Sequence, residues 1–217
     1  MMKTGRVLLL TLVAFVAFAA SGCGYNTLTS KQQNVRRSWA DVESRLQRRA
    51  DLVPNLVAAA QSAGVNEQAI FGQISEARSR LINAAGAQGQ GEGGDKTPEQ
   101  RQAVIDAANS FGGTLGRLLS LQEAYPNLRS NDLWLKVQDE LSGTENRINV
   151  AREDYNAAVQ DYNTSRNSFP QVIAAKMYGF KEEPYFKAEE GARQVPQIDP
   201  NVMRRNQGGA TAPAPGR

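Results

Sequence analysis

Residues 131–167 read NDLWLKVQDELSGTENRINVAREDYNAAVQDYNTSRN and carry a seam of mostly apolar residues at every third or fourth position. This spacing is typical of one long helix whose apolar face packs against other helices. At about 1.5 Å of rise per residue, the helix would be roughly 55 Å long. The seam consists of Trp134, Val137, Leu141, Thr144, Ile148, Ala151, Tyr155, Ala158, Tyr162 and Ser165.

Three segments upstream carry the same spacing, namely residues 28–53, 54–85 and 98–122. No sustained alternation typical of strands is present in the sequence. Pro54 either breaks the chain into two helices or kinks one long helix. We expect a break, because four separate rods pack antiparallel through short loops. The sequence therefore predicts an all-α fold, an elongated antiparallel four-helix bundle with coiled-coil-like packing.

The helix ends carry recognisable capping residues. Thr97, Pro98 and Gln100 form the pattern of a capping box with proline in the first turn. Ser130 or Asn131 is suited to cap the last long helix. These residues predict where the third and fourth helices begin.

The C-terminal part divides into a cap and a tail. Residues 171–187 are apolar and aromatic, and we expect them to fold back over one end of the bundle. The aromatic cap would consist of Tyr178, Phe180, Tyr185 and Phe186. Residues 194–217 are rich in Pro, Gly and polar side chains. That composition predicts a disordered tail, because such a chain buries too little apolar area to offset the cost of ordering.

Residues 1–22 predict a signal peptide of the lipoprotein type. Lys3 and Arg6 precede an apolar run over residues 7–20, which is short for a membrane-spanning helix. Small residues then lead to Gly22 and Cys23, and this order resembles the lipobox of bacterial lipoproteins, although Ala20 stands where Leu is usual. Cleavage would fall between Gly22 and Cys23.

Cleavage there would make Cys23 the acylated first residue of the mature protein. Its acyl chains, such as palmitate, would anchor the protein stably to a membrane. Gly24, rather than Asp, after the cysteine favours the outer membrane, facing the periplasm, in a Gram-negative cell. The alternative is an uncleaved signal-anchor in which Cys23 keeps a free thiol.

Composition excludes several classes of function. The 217 residues contain no His and one Cys, so a Ser-His-Asp triad, a His-ligated zinc or di-iron site and an internal disulfide are ruled out. The net charge of +3 is too small to suggest nucleic-acid binding. No calcium loop or phosphate loop is present in the sequence. We therefore predict a non-enzyme without cofactor or metal.

A polar run over residues 142–147 interrupts the long helix, and Gly143 weakens it. Another helix could approach closely at Gly143, the run could belong to a buried polar layer, or it could bind a partner. The residues of the candidate layer or patch are Arg48, Arg49, Asp51, Asn55, Glu145, Asn146 and Arg147. Charged pairs such as Arg36-Arg37 and Glu182-Glu183 are expected to be solvated.

Several dense stretches resemble the LemA family of bacterial envelope proteins. They are RRADLVPNLV at 48–57, LGRL at 115–118, ELSGTENRI at 140–148 and YGFK at 178–181, together with Tyr155-Asn156 and Tyr162-Asn163. The resemblance implies an antiparallel bundle of about four helices over residues 23–193, tethered by an N-terminal hydrophobic segment. It implies no settled biochemical activity.

Location and composition together lead to a functional hypothesis. The protein would be a lipid-anchored, non-catalytic bundle that scaffolds or binds other, unidentified envelope proteins. Its membrane contact would be the lipid on Cys23, and a homo-oligomer is possible. The alternative is a self-assembling structural protein that remodels membranes.

Overall fold

The computed structural model describes the backbone of residues 2–91 and 94–187 and the side chains of residues 24–91 and 94–187. Within these residues the chain forms α-helices and no strand, which confirms the all-α prediction. The helices are α1 (Met2–Ser62), α2 (Gln68–Gly86), α3 (Pro98–Ala124), α4 (Asp132–Asn167) and α5 (Gln171–Tyr178), with a 3-10 turn over Pro126–Ser130. The predicted tail over residues 194–217 lies outside the described residues.

Helices α1 and α4 form the long antiparallel pair of the bundle. At the end of the bundle that we call lower, Lys31 pairs with Asp161 at 2.5 Å. At the upper end, the amide of Asn131 lies 3.4 Å from the hydroxyl of Ser62. The two helices therefore face each other along the whole length from Lys31 to Ser62.

Helices α2 and α3 form a shorter antiparallel hairpin against the upper part of α1. The Tyr125 hydroxyl donates to Glu67 at 2.6 Å, which joins the end of α3 to the start of α2. At the other end of the hairpin, Lys96 donates to the carbonyl of Ala85 at 2.7 Å and pairs with Glu43 of α1 at 3.1 Å. The hairpin thus ends near the level of Glu43. Below that level, the α1–α4 pair packs against another segment.

That partner is the C-terminal segment. Helix α5 packs on α1 and α4 at the lower end, and Gly179 ends it with a φ of 72°, a backbone conformation that glycine adopts without strain. Residues 179–187, which we call the strap, then run back up along α4 beside the start of α3. The C-terminal segment folds back on the bundle end, as the sequence predicts.

Pro54 lies inside α1, so the expected break at this residue is wrong. Proline has no N–H to donate to the carbonyl four residues earlier, that of Ala50. The structure supplies another donor, because Nε of Arg78 in α2 donates to the Ala50 carbonyl at 2.8 Å. Residues 54–62 therefore continue α1, and the second helix begins at Gln68 instead of residue 54.

The seams predicted from the 3/4 spacing form the core. Trp134, Tyr155 and Tyr162 of α4 are completely buried, as is Phe111 of α3, and Trp39 of α1 is nearly so. Ala63, Ile70 and Ser165 are only partly buried. The predicted capping box at Thr97 is present, and Asn131, not Ser130, caps α4 by accepting from the Trp134 N–H at 2.9 Å.

Candidate functional site

Two tyrosines of α4 hold the strap by its carbonyl groups. Tyr155 and Tyr162 lie seven residues apart, so both project from the same face of the helix. The Tyr155 hydroxyl donates to the carbonyl of Pro184, and the Tyr162 hydroxyl donates to that of Lys181, each at 2.8 Å. Burial, reinforced by the nearby charge of Glu183, raises the pKa of both phenols, that of Tyr162 to about 12.

The asparagine after each tyrosine binds the strap in a two-way contact. The side-chain amide of Asn163 donates to the Glu183 carbonyl at 2.9 Å and accepts from the Glu183 N–H at 3.0 Å. Asn156 does the same to Phe186, with distances of 3.0 and 2.8 Å. Each asparagine side chain thus supplies the two hydrogen bonds that a neighbouring strand would otherwise make with the backbone N–H and carbonyl of an extended segment. The two Tyr-Asn pairs explain why these polar residues recur at heptad spacing.

A buried ion pair fixes the strap to α3. Nη1 of Arg101 lies 2.5 Å from the carboxylate of Glu183, and each side chain is 2 % exposed. The guanidinium also lies over the ring of Trp39, 5.9 Å from its centroid. The expectation that Glu183 is solvated is therefore wrong, whereas Glu182 is exposed. Sequence reasoning missed Arg101, which no short motif singles out.

A second charged cluster lies higher in the bundle, between α1 and α4. Nη2 of Arg49 lies 3.1 Å from Glu145, and Arg152 lies 4.0 Å from the same carboxylate. Burial lowers the pKa of both guanidinium groups, and the charge of Glu145 opposes this effect. The Arg152 guanidinium also stacks 4.3 Å from the ring centroid of Phe186, which links this cluster to the strap.

The lower end of the bundle exposes apolar side chains. A methyl group on Gly24 would lie 3.3 Å from Cβ of Ala174, so α1 and α5 cross closely at this glycine. Next to the crossing, the ring of Tyr25 meets that of Tyr178 edge-on, with centroids 4.8 Å apart. The large exposed apolar residues here are Tyr25, Phe169, Ile173, Met177 and Tyr178, which we call the base patch.

Open clefts flank the described part of the bundle. One cleft of about 300 Å³ beside the strap is lined by charges that are already paired, including Arg36 with Asp95 at 2.9 Å. Another, also about 300 Å³, lies between α1 and α4 and is lined by Asn146, Arg147 and Val150, among others. Among the described residues, no group of three or more acidic or cysteine side chains is placed to hold a metal ion.

A family model confirms the resemblance to the LemA family. The model of the LemA family matches residues 38–199, about three quarters of the chain. The chain belongs to the LemA family. Similar proteins include magnetosome proteins MamQ 1 and MamQ 2 of Paramagnetospirillum magneticum, each 30 % identical over 207 residues, and MamQ of Magnetospirillum gryphiswaldense, 28 % identical. Each match covers 90 % of this chain and 75 % of the relative.

The stretches that carry the LemA resemblance have different structural roles. Of the candidate polar layer, only Arg49 and Glu145 come together. Asp51 instead lies 3.5 Å from Arg78 of α2. Four other candidates are exposed, namely Arg48, Asn55, Asn146 and Arg147.

The proposed close approach at Gly143 is wrong. Gly143 is exposed, and a Cβ atom at this position would have nothing within 4 Å. The neighbouring hydroxyls of Ser142 and Thr144 donate to carbonyls four residues earlier in α4, those of Gln138 and Glu140. The run is therefore a helical surface with one buried member, Thr144.

The predicted aromatic cap of this LemA protein is split between two places. Tyr178 is exposed at the lower end, and Phe180 is partly buried next to Tyr25. Tyr185 and Phe186 lie further along the strap, away from the lower end, and Phe186 is buried. Within residues 24–91 and 94–187, no helix has both the length and the apolar character needed to cross a membrane.

Proposed function

We propose that this LemA protein is a lipid-anchored, non-catalytic bundle of the cell envelope that binds other envelope proteins. The observation that carries the proposal is the position of Cys23. It immediately precedes Gly24, where α1 crosses α5 at the lower end of the bundle. An acylated Cys23 would hold the folded domain at the membrane without an intervening linker.

Family membership supports a role without chemistry. The three relatives are named as magnetosome proteins, so their names refer to a cell structure and not to a reaction. Four buried polar side chains, those of Arg101, Glu183, Tyr155 and Tyr162, take part in holding the strap, which gives them a structural task.

The surface we assign to partner binding is the groove between α1 and α4 that includes Asn146, Arg147 and Val150. Val150 is 58 % exposed, although it lies in the middle of a long helix. Asp41 and Arg45 line the same groove from α1. An apolar centre with charged flanks is the arrangement common at protein interfaces.

The anchor is tested by membrane fractionation with intact-mass measurement of wild type and Cys23→Ser. A lipoprotein gives a wild-type mass that lacks residues 1–22 and includes acyl chains, and a variant that is unprocessed or released. An intact N-terminus in both, with both in the membrane, would refute lipidation and support the signal-anchor alternative.

Partner binding is tested by placing a photo-crosslinking amino acid at position 150 in the membrane-bound protein. The matched control carries it at Leu135, which is also exposed on α4 but lies outside the groove. We expect adducts to another envelope protein from position 150 only. Adducts to a second copy of this chain would instead support the self-assembling alternative, and equal adducts from both positions would refute the assignment of the groove.

A further inference from the structure

The base patch gathers most of the large apolar side chains that the described part of the chain exposes. Phe169 is 80 % exposed and Met177 is 63 % exposed. The other exposed large apolar residues, Leu133, Leu135 and Val150, are spread along α4 from its upper end to its middle. A contiguous apolar surface at one end of a bundle marks a contact with a partner or a membrane.

The patch belongs to a two-faced element. Ile173 and Met177 lie four residues apart and share one side of α5, and the exposed Phe169 lies in the turn just before the helix. Ala174 and Ala175 on the other side are buried against the bundle. The small alanines hold α5 close to α1 and α4, and its large side chains point away from the core.

The position of α5 indicates what covers the exposed apolar face of this helix. The helix crosses α1 at Gly24, one residue after Cys23. The apolar run of residues 7–20 ends just before this point. A lipid on Cys23 and an uncleaved anchor helix would both place a bilayer surface at the level of α5.

The chemistry of the patch also matches a lipid surface. Residues 168–180 contain one lysine, Lys176, and no acidic residue, which suits contact with anionic head groups. Tyr25 and Tyr178 lie edge-on beside the apolar side chains. Tyrosine is favoured at the boundary between lipid and water because its ring is apolar and its hydroxyl is polar.

We propose that the base patch inserts into the interface of the bilayer to which the protein is anchored. The contact adds a second point of attachment to the bilayer, because α5 is a separate helix next to the anchored residue Cys23. It fixes the tilt of the bundle, because an anchor at one residue leaves the domain free to swing and a surface contact does not. This inference rests on the proposed membrane anchor at residue 23.

The test uses the full chain in nanodiscs of phosphatidylethanolamine and phosphatidylglycerol, at one protein per disc. Met177→Cys is compared with Leu133→Cys, a control that is also exposed but lies at the upper end of α4, outside the groove assigned to partner binding. The reaction with a water-soluble maleimide is followed by intact mass, and the protein without an introduced cysteine gives the background from Cys23. Both variants are also labelled after denaturation to show that both thiols are competent.

We expect Met177→Cys to react about tenfold more slowly than Leu133→Cys in the disc, because the thiolate is the reactive form and an apolar environment disfavours it. Equal rates with the protein retained in the disc would overturn the inference and leave the anchor intact. Protein that does not stay with the disc would overturn both. Protection accompanied by two chains per disc would assign the patch to a second copy and also overturn the inference.

Discussion

Pro54 and Arg78 form a coupled pair that a double-mutant cycle can measure. Ala50 is completely buried, and its carbonyl accepts from Arg78 because Pro54 has no N–H. Removing Arg78 by substitution with Leu leaves this acceptor unpaired, which costs about 1–3 kcal/mol. In the Pro54→Ala background, the restored N–H of residue 54 bonds to the Ala50 carbonyl, as in any helix. The same Arg78→Leu change should then cost under about 1 kcal/mol, because the interaction still lost is the half-exposed ion pair with Asp51.

The measurement is urea unfolding of the full chain in detergent, followed by far-ultraviolet circular dichroism. With a slope of about 2 kcal/mol per molar urea, a coupling of about 1–2 kcal/mol makes the midpoint shift caused by Arg78→Leu differ by roughly 0.5–1 M between the two backgrounds. Arg80→Leu is the matched control, because Arg80 lies on the same helix and pairs only with the exposed Glu76 in the described structure. An equal loss of stability from Arg78→Leu in both backgrounds would refute the reasoning.

The strap provides three further predictions. Glu183→Ala leaves Arg101 buried and unpaired, so the free energy of unfolding falls by about 3–5 kcal/mol. The double variant Arg101→Met with Glu183→Leu removes both charges and restores most of the lost stability in the same urea assay. Asn163→Ala removes two hydrogen bonds to the backbone of Glu183, which costs about 2 kcal/mol and speeds hydrogen exchange at the Glu183 amide. The raised pKa values of Tyr155 and Tyr162 mean that the folded state holds the phenol protons more tightly than the unfolded state. Stability is therefore full below pH 10 and falls as the pH rises toward 12. The Tyr162→Phe variant flattens this fall in urea midpoints measured against pH, and an unchanged slope would contradict the assignment.

The core was predictable because burial repeats with the helical period. Trp134, Val137 and Leu141 need no knowledge of the partner helices to be recognised as one face. The capping box at Thr97 was predictable for a similar reason, since its donors and acceptors lie within four residues.

Pro54 and Gly143 show where local rules failed. Proline breaks a helix when the freed carbonyl stays unpaired, and the donor that prevents this, Arg78, lies 24 residues further along the chain, in α2. Gly143 suggests a close contact, yet among the described residues a Cβ atom built at this position meets nothing within 4 Å. In both cases the outcome depends on which surface another helix covers.

The strap shows the same limit for the candidate site. Glu183 follows another glutamate and precedes a proline, a context typical of solvent-exposed chain. Its burial depends on Arg101, 82 residues away in sequence. The available hint was the repeat of Tyr-Asn at 155 and 162, because a polar residue beside a buried seam at heptad spacing needs a partner of its own.

The long α1–α4 pair sets an order in which the chain can fold. The α2–α3 hairpin closes over a short loop, where Lys96 reaches a carbonyl 11 residues away, whereas Lys31 must find Asp161 across 130 residues. Short closures are fast and long ones slow, so we expect the hairpin to form first. Because the strap is the last of these segments to be synthesised, the lower half of α1 stays unpaired until nearly the whole domain has been made. Folding of this protein should therefore be slower than is usual for a small helical bundle.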